Sequence, residues 1–159
     1  KFNEYFKFSF VRNPYDRLVS AFYFLKNGGR NEFDKKWSLK NLSEIEDFEQ
    51  FVKKLQDSRF KEEVLKWTHF IPQYKYVCGA GNEIIVDYIG RFENLESDFR
   101  YVSRKLNKSI VLPHENKTMN RNRYQNLYDS EMQELIYMVY KKDFEIFNYA
   151  YNLDNKSDN

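Results

Sequence analysis

Arg12, Pro14, Arg17 and Ser20 lie within one short run, Phe8-Ser9-Phe10-Val11-Arg12-Asn13-Pro14-Tyr15-Asp16-Arg17-Leu18-Val19-Ser20-Ala21-Phe22. Together these residue types can hold an anion. Arg12 offers a planar fork matched to phosphate oxygens, and Ser20 a hydroxyl donor. Asn13 is a good helix N-cap, Pro14 suits the first helical position, and Asp16 places an acid in the first turn. A helix starting there adds unpaired N–H groups and the positive end of its dipole. From Pro14 to Ser20 the helix rises about 9 Å, so one phosphate meets both side chains only if Arg12 reaches back along the helix. Residues 1–30 carry six basic and two acidic side chains, a local charge of +4. The same types would also serve an ordinary helix start whose arginines pair with Asp16 or lie in solvent.

Two histidines are candidates for proton transfer near neutral pH, His69 and His114. His69 is the stronger as a catalytic base, although it could equally cap or pack beside Trp67 and Phe70. Lys117, Arg121 and Arg123 form a basic stretch with no acid between them, suited to closing over a phosphate or meeting an anionic acceptor, or simply to a solvated loop. The histidines and Cys78 show no metal-ligand spacing, so no metal is expected. Cys78 reads as a small buried hydrophobe.

The elements that must position these groups follow from periodicity and caps. Tyr5 to Val11 alternates and is aromatic-rich, which predicts a strand. The helix after it should run from Pro14 to about Lys26, turn Leu18, Phe22 and Leu25 inward, and stop at Gly28-Gly29. Residues 30–42, with Trp37 among them, read as a polar loop. Ser43-Glu44-Ile45-Glu46 has the form of a capping box opening a helix with Ile45, Phe48, Val52 and Leu55 inside. A short helix is expected over Lys61 to Trp67, and a second strand over Ile84 to Ile89 between Gly81 and Gly90. Asn94 could cap a helix carrying Leu95, Phe99, Val102 and Leu106. Pro113 to Arg123 reads as a loop. Met132, Leu135, Ile136 and Val139 mark a last helix that continues toward Phe144 and Phe147 after a break.

The chain has 159 residues, enough for one domain over residues 1–152 with a frayed polar tail over 153–159. With 15 Phe and 13 Tyr it can bury a sizeable core, which excludes a mainly disordered chain. A net charge of +2 argues against nucleic acid as the partner. No run approaches the roughly 20 apolar residues of a membrane helix. The single cysteine points to a reducing compartment, the cytoplasm. Two strands make a poor sheet, and the chain opens inside an element without Met, so upstream sequence is expected to supply the rest.

The run Arg12-x-Pro14-x-x-Arg17-x-x-Ser20-x-Phe22 resembles the 3′-phosphate-binding motif of the sulfotransferases that use 3′-phosphoadenosine 5′-phosphosulfate (PAPS), above all the carbohydrate sulfotransferase branch. Weaker similarities follow in His69-Phe70-Ile71-Pro72-Gln73, in Asp87-Tyr88-Ile89-Gly90-Arg91-Phe92-Glu93-Asn94-Leu95 and in Leu112 to Thr118. The resemblance implies an α/β, P-loop-like fold with a central parallel sheet, helix-rich in this chain. It implies PAPS as cofactor, adenosine 3′,5′-bisphosphate as its product, and a hydroxyl acceptor on a carbohydrate. Carried over by position, Arg12 and Ser20 would hold the 3′-phosphate, while Arg17 would fix the helix or a neighbouring carboxylate; the basic stretch of Lys117, Arg121 and Arg123 could then fold over the same nucleotide. The Golgi lumen, where eukaryotic members of that branch work, is the alternative location. The sequence departs from the branch in one respect: the glycines at 28, 29, 79, 81 and 90 belong to no Gly-x-x-x-x-Gly-Lys loop for the 5′-phosphosulfate. In several members the general base also lies ahead of the phosphate motif. A non-catalytic module binding an anionic glycan or a protein is therefore the competing reading.

Overall fold

A computed structural model describes residues 4–110, 112 and 121–153, with the side chains of 121–123 left out. The chain divides into two compact units, each drawn from two segments: one from Lys1–Asn13 and Gln73–Arg121, the other from Pro14–Pro72 and Asn122–Asn159.

In the first unit, β1 (Phe8–Val11) pairs in parallel with β2 (Tyr88–Arg91), in the register Phe8↔Tyr88 to Val11↔Arg91. Among the described residues this is the whole sheet. The second strand starts four residues later than the expected Ile84 to Ile89 and ends two later, sharing only Tyr88 and Ile89 with it. Ile84 makes only an isolated antiparallel bridge with Cys78, which is half-buried rather than enclosed, and Ile84 and Ile85 are exposed. Two contacts set the register instead. Asp87 Oδ2 accepts the Lys7 N–H at 2.7 Å and pairs with Lys7 Nζ at 2.9 Å, fixing the start of the pair. Gly90 lies opposite Phe10, whose ring fills the space of the missing side chain, since a Cβ there would stand 2.4 Å from Phe10 Cε1. The glycine that looked like a strand boundary is therefore inside the strand, where close packing requires it. Gly90→Ala should cost about 1–3 kcal/mol by overpacking, read as a lower urea midpoint.

The Asp87 carboxyl is held below its ordinary value, first by the Lys7 N–H and then by the Lys7 ammonium. A depressed carboxylate contributes stability above its unfolded pKa of 3.8 and loses that contribution as pH falls through the lower folded value. Asp87→Asn should accordingly lose less stability than the wild type when acidified below about pH 4, in urea melts followed across that range.

After a 3₁₀ turn at Phe92–Asn94, α6 (Leu95–Lys105) brings Phe99 within 6.4 Å of the Phe10 ring. Asn94 precedes it as expected but makes no side-chain cap bond; Asp98 in the first turn accepts the Arg91 N–H at 2.6 Å. A one-turn helix, α5 (Tyr74–Val77), precedes β2 in the chain.

The second unit is helical. α1 spans Pro14–Lys26 with Leu18, Phe22 and Leu25 buried, as the spacing predicts. It stops at Gly28 (φ 94°) and Gly29 (φ 67°), whose N–H returns to the Phe24 carbonyl at 2.9 Å. Residues 30–42 are a helix and not a loop: α2 runs Glu32–Leu42, capped by Asn31 accepting the Asp34 N–H, with Trp37 buried. Ser43 continues the last turn of α2 in helical geometry and opens nothing. The cap of α3 (Phe48–Lys54) is Asp47, which accepts from the Gln50 N–H while Gln50 Oε1 accepts the Glu46 N–H. α4 (Ser58–Lys66) starts on Asp57, earlier than expected. Residues 121–127 form a 3₁₀ segment where the tail of a loop was expected, and α7 (Ser130–Ile146) begins on Asp129 and breaks helical geometry at Tyr140. Phe22, Phe48, Phe51, Phe70, Tyr128 and Phe144 are buried together in one core with the flanking aliphatic residues.

Candidate functional site

Arg12 is the first residue after β1, and α1 begins two residues later, the strand-to-helix junction that the motif requires. The Arg12 peptide is clamped from both sides by one amide. Its N–H donates to Gln73 Oε1 at 2.9 Å, and its carbonyl accepts from Gln73 Nε2 at 2.8 Å. Gln73 is itself buried, so these bonds are shielded from competing water. The Arg12 guanidinium lies over the Phe92 ring, 4.4 Å from its centre, a cation–π contact that fixes the direction of a long, flexible side chain. The next residue is fixed as well, because the Asn13 N–H donates to Glu93 Oε1 at 2.6 Å. Gln73 closes one of the segments singled out by resemblance, and Phe92 and Glu93 lie in another. The sequence separations of 61 and 80 residues between these partners are what kept their roles from view.

The start of α1 is held by aromatic hydroxyls. Tyr15 is fully buried, with ring centres of Tyr128 and Phe144 at 5.0 and 4.9 Å. Its hydroxyl donates to the carbonyls of Tyr151 (2.8 Å) and Gln133 (3.1 Å), and Tyr128 donates to the Tyr15 carbonyl at 2.8 Å. Tyr140, at the break in α7, donates to the Phe70 carbonyl at 2.9 Å. Burial pushes the hydroxyls of Tyr15, Tyr128 and Tyr140 up, so all three stay protonated donors, although the Arg17 charge opposes the shift at Tyr140. Ser20 is half-buried on α1.

His69 meets a different set of groups. Its Nε2 stands 3.2 Å from Asp34 Oδ1, and its ring centre is 5.0 Å from that of Phe24. Asp34 is 5% exposed, and it also accepts the Arg30 N–H at 3.1 Å. Gly29 makes room for it, since a Cβ there would lie 2.1 Å from Asp34 Cβ. A carboxylate only accepts, so Nε2 carries the proton and Nδ1 is left as the basic nitrogen. Sequence reasoning put His69 beside Trp67 and Phe70 and missed Asp34, because the segment holding Asp34 was read as a loop.

Lys117 and His114 lie outside the described residues, and for Arg121 and Arg123 only the backbone, at the start of the 3₁₀ segment, is described. Among the described residues no group of three or more His, Cys, Asp or Glu could hold a metal ion. No helix among them is long and apolar enough to cross a membrane.

Residues 1–150 match the model of the sulfotransferase family. The chain is 32% identical to carbohydrate sulfotransferase 11 of Rattus norvegicus, over 94% of this chain and 48% of that protein. It is 25% identical to carbohydrate sulfotransferase 10 of Xenopus laevis over the same shares. An uncharacterized protein of Archaeoglobus fulgidus is 35% identical over 66% of this chain and 70% of its own length. The chain thus spans about half the length of the carbohydrate sulfotransferases it matches. No solved structure matches it significantly. The match over residues 1–150, on a chain whose Arg12-to-Ser20 run crosses from strand to helix, means that the chain belongs to the sulfotransferase family, in its carbohydrate sulfotransferase branch.

Proposed function

We propose that this chain carries the 3′-phosphate-binding half of a PAPS-dependent sulfotransferase that acts on a hydroxyl of a carbohydrate. The observation that carries the reading is the clamped Arg12 junction: peptide held by Gln73, guanidinium ordered on Phe92, helix start immediately after. Such preorganisation suits a doubly charged phosphate, because the side chain is directed before the ligand arrives. A junction of this kind therefore suits the phosphate end of the nucleotide. Arg12 and Ser20 would hold its 3′-phosphate, and Lys117, Arg121 and Arg123 are assigned to the same nucleotide. When bound, PAPS supplies an activated sulfuryl group. In the full fold, a P-loop-like sheet, the groups around the 5′-phosphosulfate are assigned to the part of the relatives' length that this chain does not span.

His69 is the proposed general base. Asp34 holds Nε2–H, which fixes the ring and leaves Nδ1 as the nitrogen able to accept a proton from an acceptor hydroxyl. His69→Ala should lower turnover while leaving adenosine 3′,5′-bisphosphate binding intact, in sulfuryl-transfer assays run beside a titration. The relatives named as carbohydrate sulfotransferases weigh against a purely non-catalytic module. The experiment for the nucleotide site is calorimetric titration of the chain with adenosine 3′,5′-bisphosphate, wild type against Arg12→Ala. Binding that vanishes in the variant supports the assignment; equal binding by both chains removes Arg12 from the site.

A further inference from the structure

The helix α2 carries apolar side chains on two sides, and the core accounts for only one of them. Trp37 and Leu42 are buried together with Asp34 and Ser38. Phe33 and Leu39 meet solvent instead. Phe33 is 77% exposed, the most exposed large apolar side chain among the described residues, and Leu39 is 63% exposed. Single apolar residues scattered over a surface need no explanation. These two, however, share one helix of 11 residues and stand among lysines. With about 100° of rotation per residue, they lie about 60° to either side of Lys36. Lys40 shares the flank of Phe33 two turns on, and Lys35 that of Leu39 one turn back. Arg30, just ahead of the helix, adds a further exposed cation. The acids on this side are fewer: Glu32 on the helix, and Glu63 of α4, which pairs with Lys40 at 3.3 Å. Among the described residues Lys35 and Lys36 make no ion pair.

Exposed cations beside exposed apolar tips fit a partner that is anionic and apolar at once. A bilayer surface bearing anionic lipids is both, and Lys with Phe and Leu is the composition of helices that lie in such an interface. Lysine stems can run along the apolar layer while their ammonium groups reach the phosphates. The outer face of a helix is convex, so it gives a peptide no groove to occupy, whereas a lipid surface needs none.

We infer that α2 is a membrane-surface contact. Phe33 and Leu39 enter the interface of a bilayer that carries anionic lipids, and Arg30, Lys35, Lys36 and Lys40 meet its head groups. The contact lies on the bilayer and does not span it. Asp34, which holds His69, sits on the buried side of the same helix. A bilayer on the outer side is therefore about one helix diameter, about 10–12 Å, from Asp34, which brings the proposed base near acceptors carried on that surface. This consequence rests on the assignment of His69; the contact itself rests on α2 alone.

The test floats the full chain with vesicles of phosphatidylcholine alone and with vesicles containing about 30% phosphatidylserine, beside a polyglutamate peptide as the anionic protein probe. The chain should rise with the phosphatidylserine vesicles and not with neutral ones, and raising the salt from about 0.1 M to about 0.5 M should weaken the association. Phe33→Ser/Leu39→Ser should lower the partition at least tenfold, and so should Lys35→Glu/Lys36→Glu. All four side chains are exposed, so both double variants should melt with the wild type. Adenosine 3′,5′-bisphosphate, titrated into the same preparations, should bind all three chains equally. A folded wild type that ignores the anionic vesicles overturns the contact, and so does equal partition by either double variant. Equal binding to neutral vesicles overturns the role of the lysines. Polyglutamate bound through the lysines, with vesicle binding indifferent to Phe33 and Leu39, replaces the lipid by an acidic protein and overturns the inference. Vesicle binding that responds to both double variants in a chain that ignores the bisphosphate supports the contact and sinks the nucleotide assignment instead.

Discussion

Arg12→Ala should lower the affinity for adenosine 3′,5′-bisphosphate by about a hundredfold while barely moving the melting temperature. A guanidinium fork can make two charge-assisted bonds to a phosphate, each worth about 1.5–3 kcal/mol, so the loss is about 3 kcal/mol or more. The fold should hardly register the change. The groups that fix this point of the chain are the Arg12 N–H and carbonyl, which any residue but proline provides to Gln73. Among the contacts alanine gives up is the one with Phe92, about 0.5–1 kcal/mol at a site that is not fully buried. Arg12→Lys should rescue little, because a lysine ammonium keeps the charge but neither the fork nor the flat face that lies on the ring. Titration calorimetry and a thermal melt on the same preparations read both quantities. A variant that loses binding and stability together would sink the claim that the side chain acts on the ligand.

Phe22→Ala should produce the reverse pattern, a loss of about 3–5 kcal/mol in stability and a fall in melting temperature on the order of 10 °C. Phe22 ends the same motif, yet it is fully buried on α1, with ring centres of Phe51 at 5.0 Å and Phe48 at 5.6 Å. Alanine leaves a cavity that rigid aromatic neighbours cannot close, so the variant loses packing as well as buried area. Phe22→Leu should recover a large part of the loss, as leucine refills much of the volume. Urea denaturation gives the free energy directly. A Phe22→Ala chain as stable as the wild type would mean that the ring is not the keystone its burial implies.

α1 was legible because its signals are local: proline at the first position, inward residues at helical spacing, paired glycines at the stop. The kinked α7 was legible for a similar reason, since its buried Met132, Ile136 and Phe144 keep a helical period on both sides of Tyr140. α2 was misread because most of its residues are polar and its buried side includes Asp34 and Ser38, so hydrophobicity gives little period to read. The cue available was the Asn31 cap. β2 was misplaced because β-branched Ile84 and Ile85 carry the strongest strand preference in their segment, while the pairing is decided by Asp87 and by the absence of a side chain at Gly90. In the candidate site, Arg12 and Ser20 were singled out by residue type and by resemblance, and the structure places Arg12 just after β1 and Ser20 on α1. Gln73, Phe92 and Asp34 could not be assigned roles that way, because each acts through a contact far away in the sequence that only folding brings about.

The parallel pairing of Phe8 with Tyr88 also has a consequence for how the protein is made. The two strands are 80 residues apart, so at about 5–20 residues per second a ribosome needs roughly 4–16 s to deliver β2 after β1. During that interval β1 is an aromatic strand with an open edge, Phe8 and Phe10 included, while residues 14–72 are already emerging. A segment of this kind invites pairing with another nascent chain or capture by a chaperone. Closing a loop of that length also costs about 4 kcal/mol in chain entropy. Slowed translation or scarce chaperones should thus lower the soluble yield more than the stability of the finished protein would suggest, and a faster-translated stretch between codons 12 and 87 should raise it.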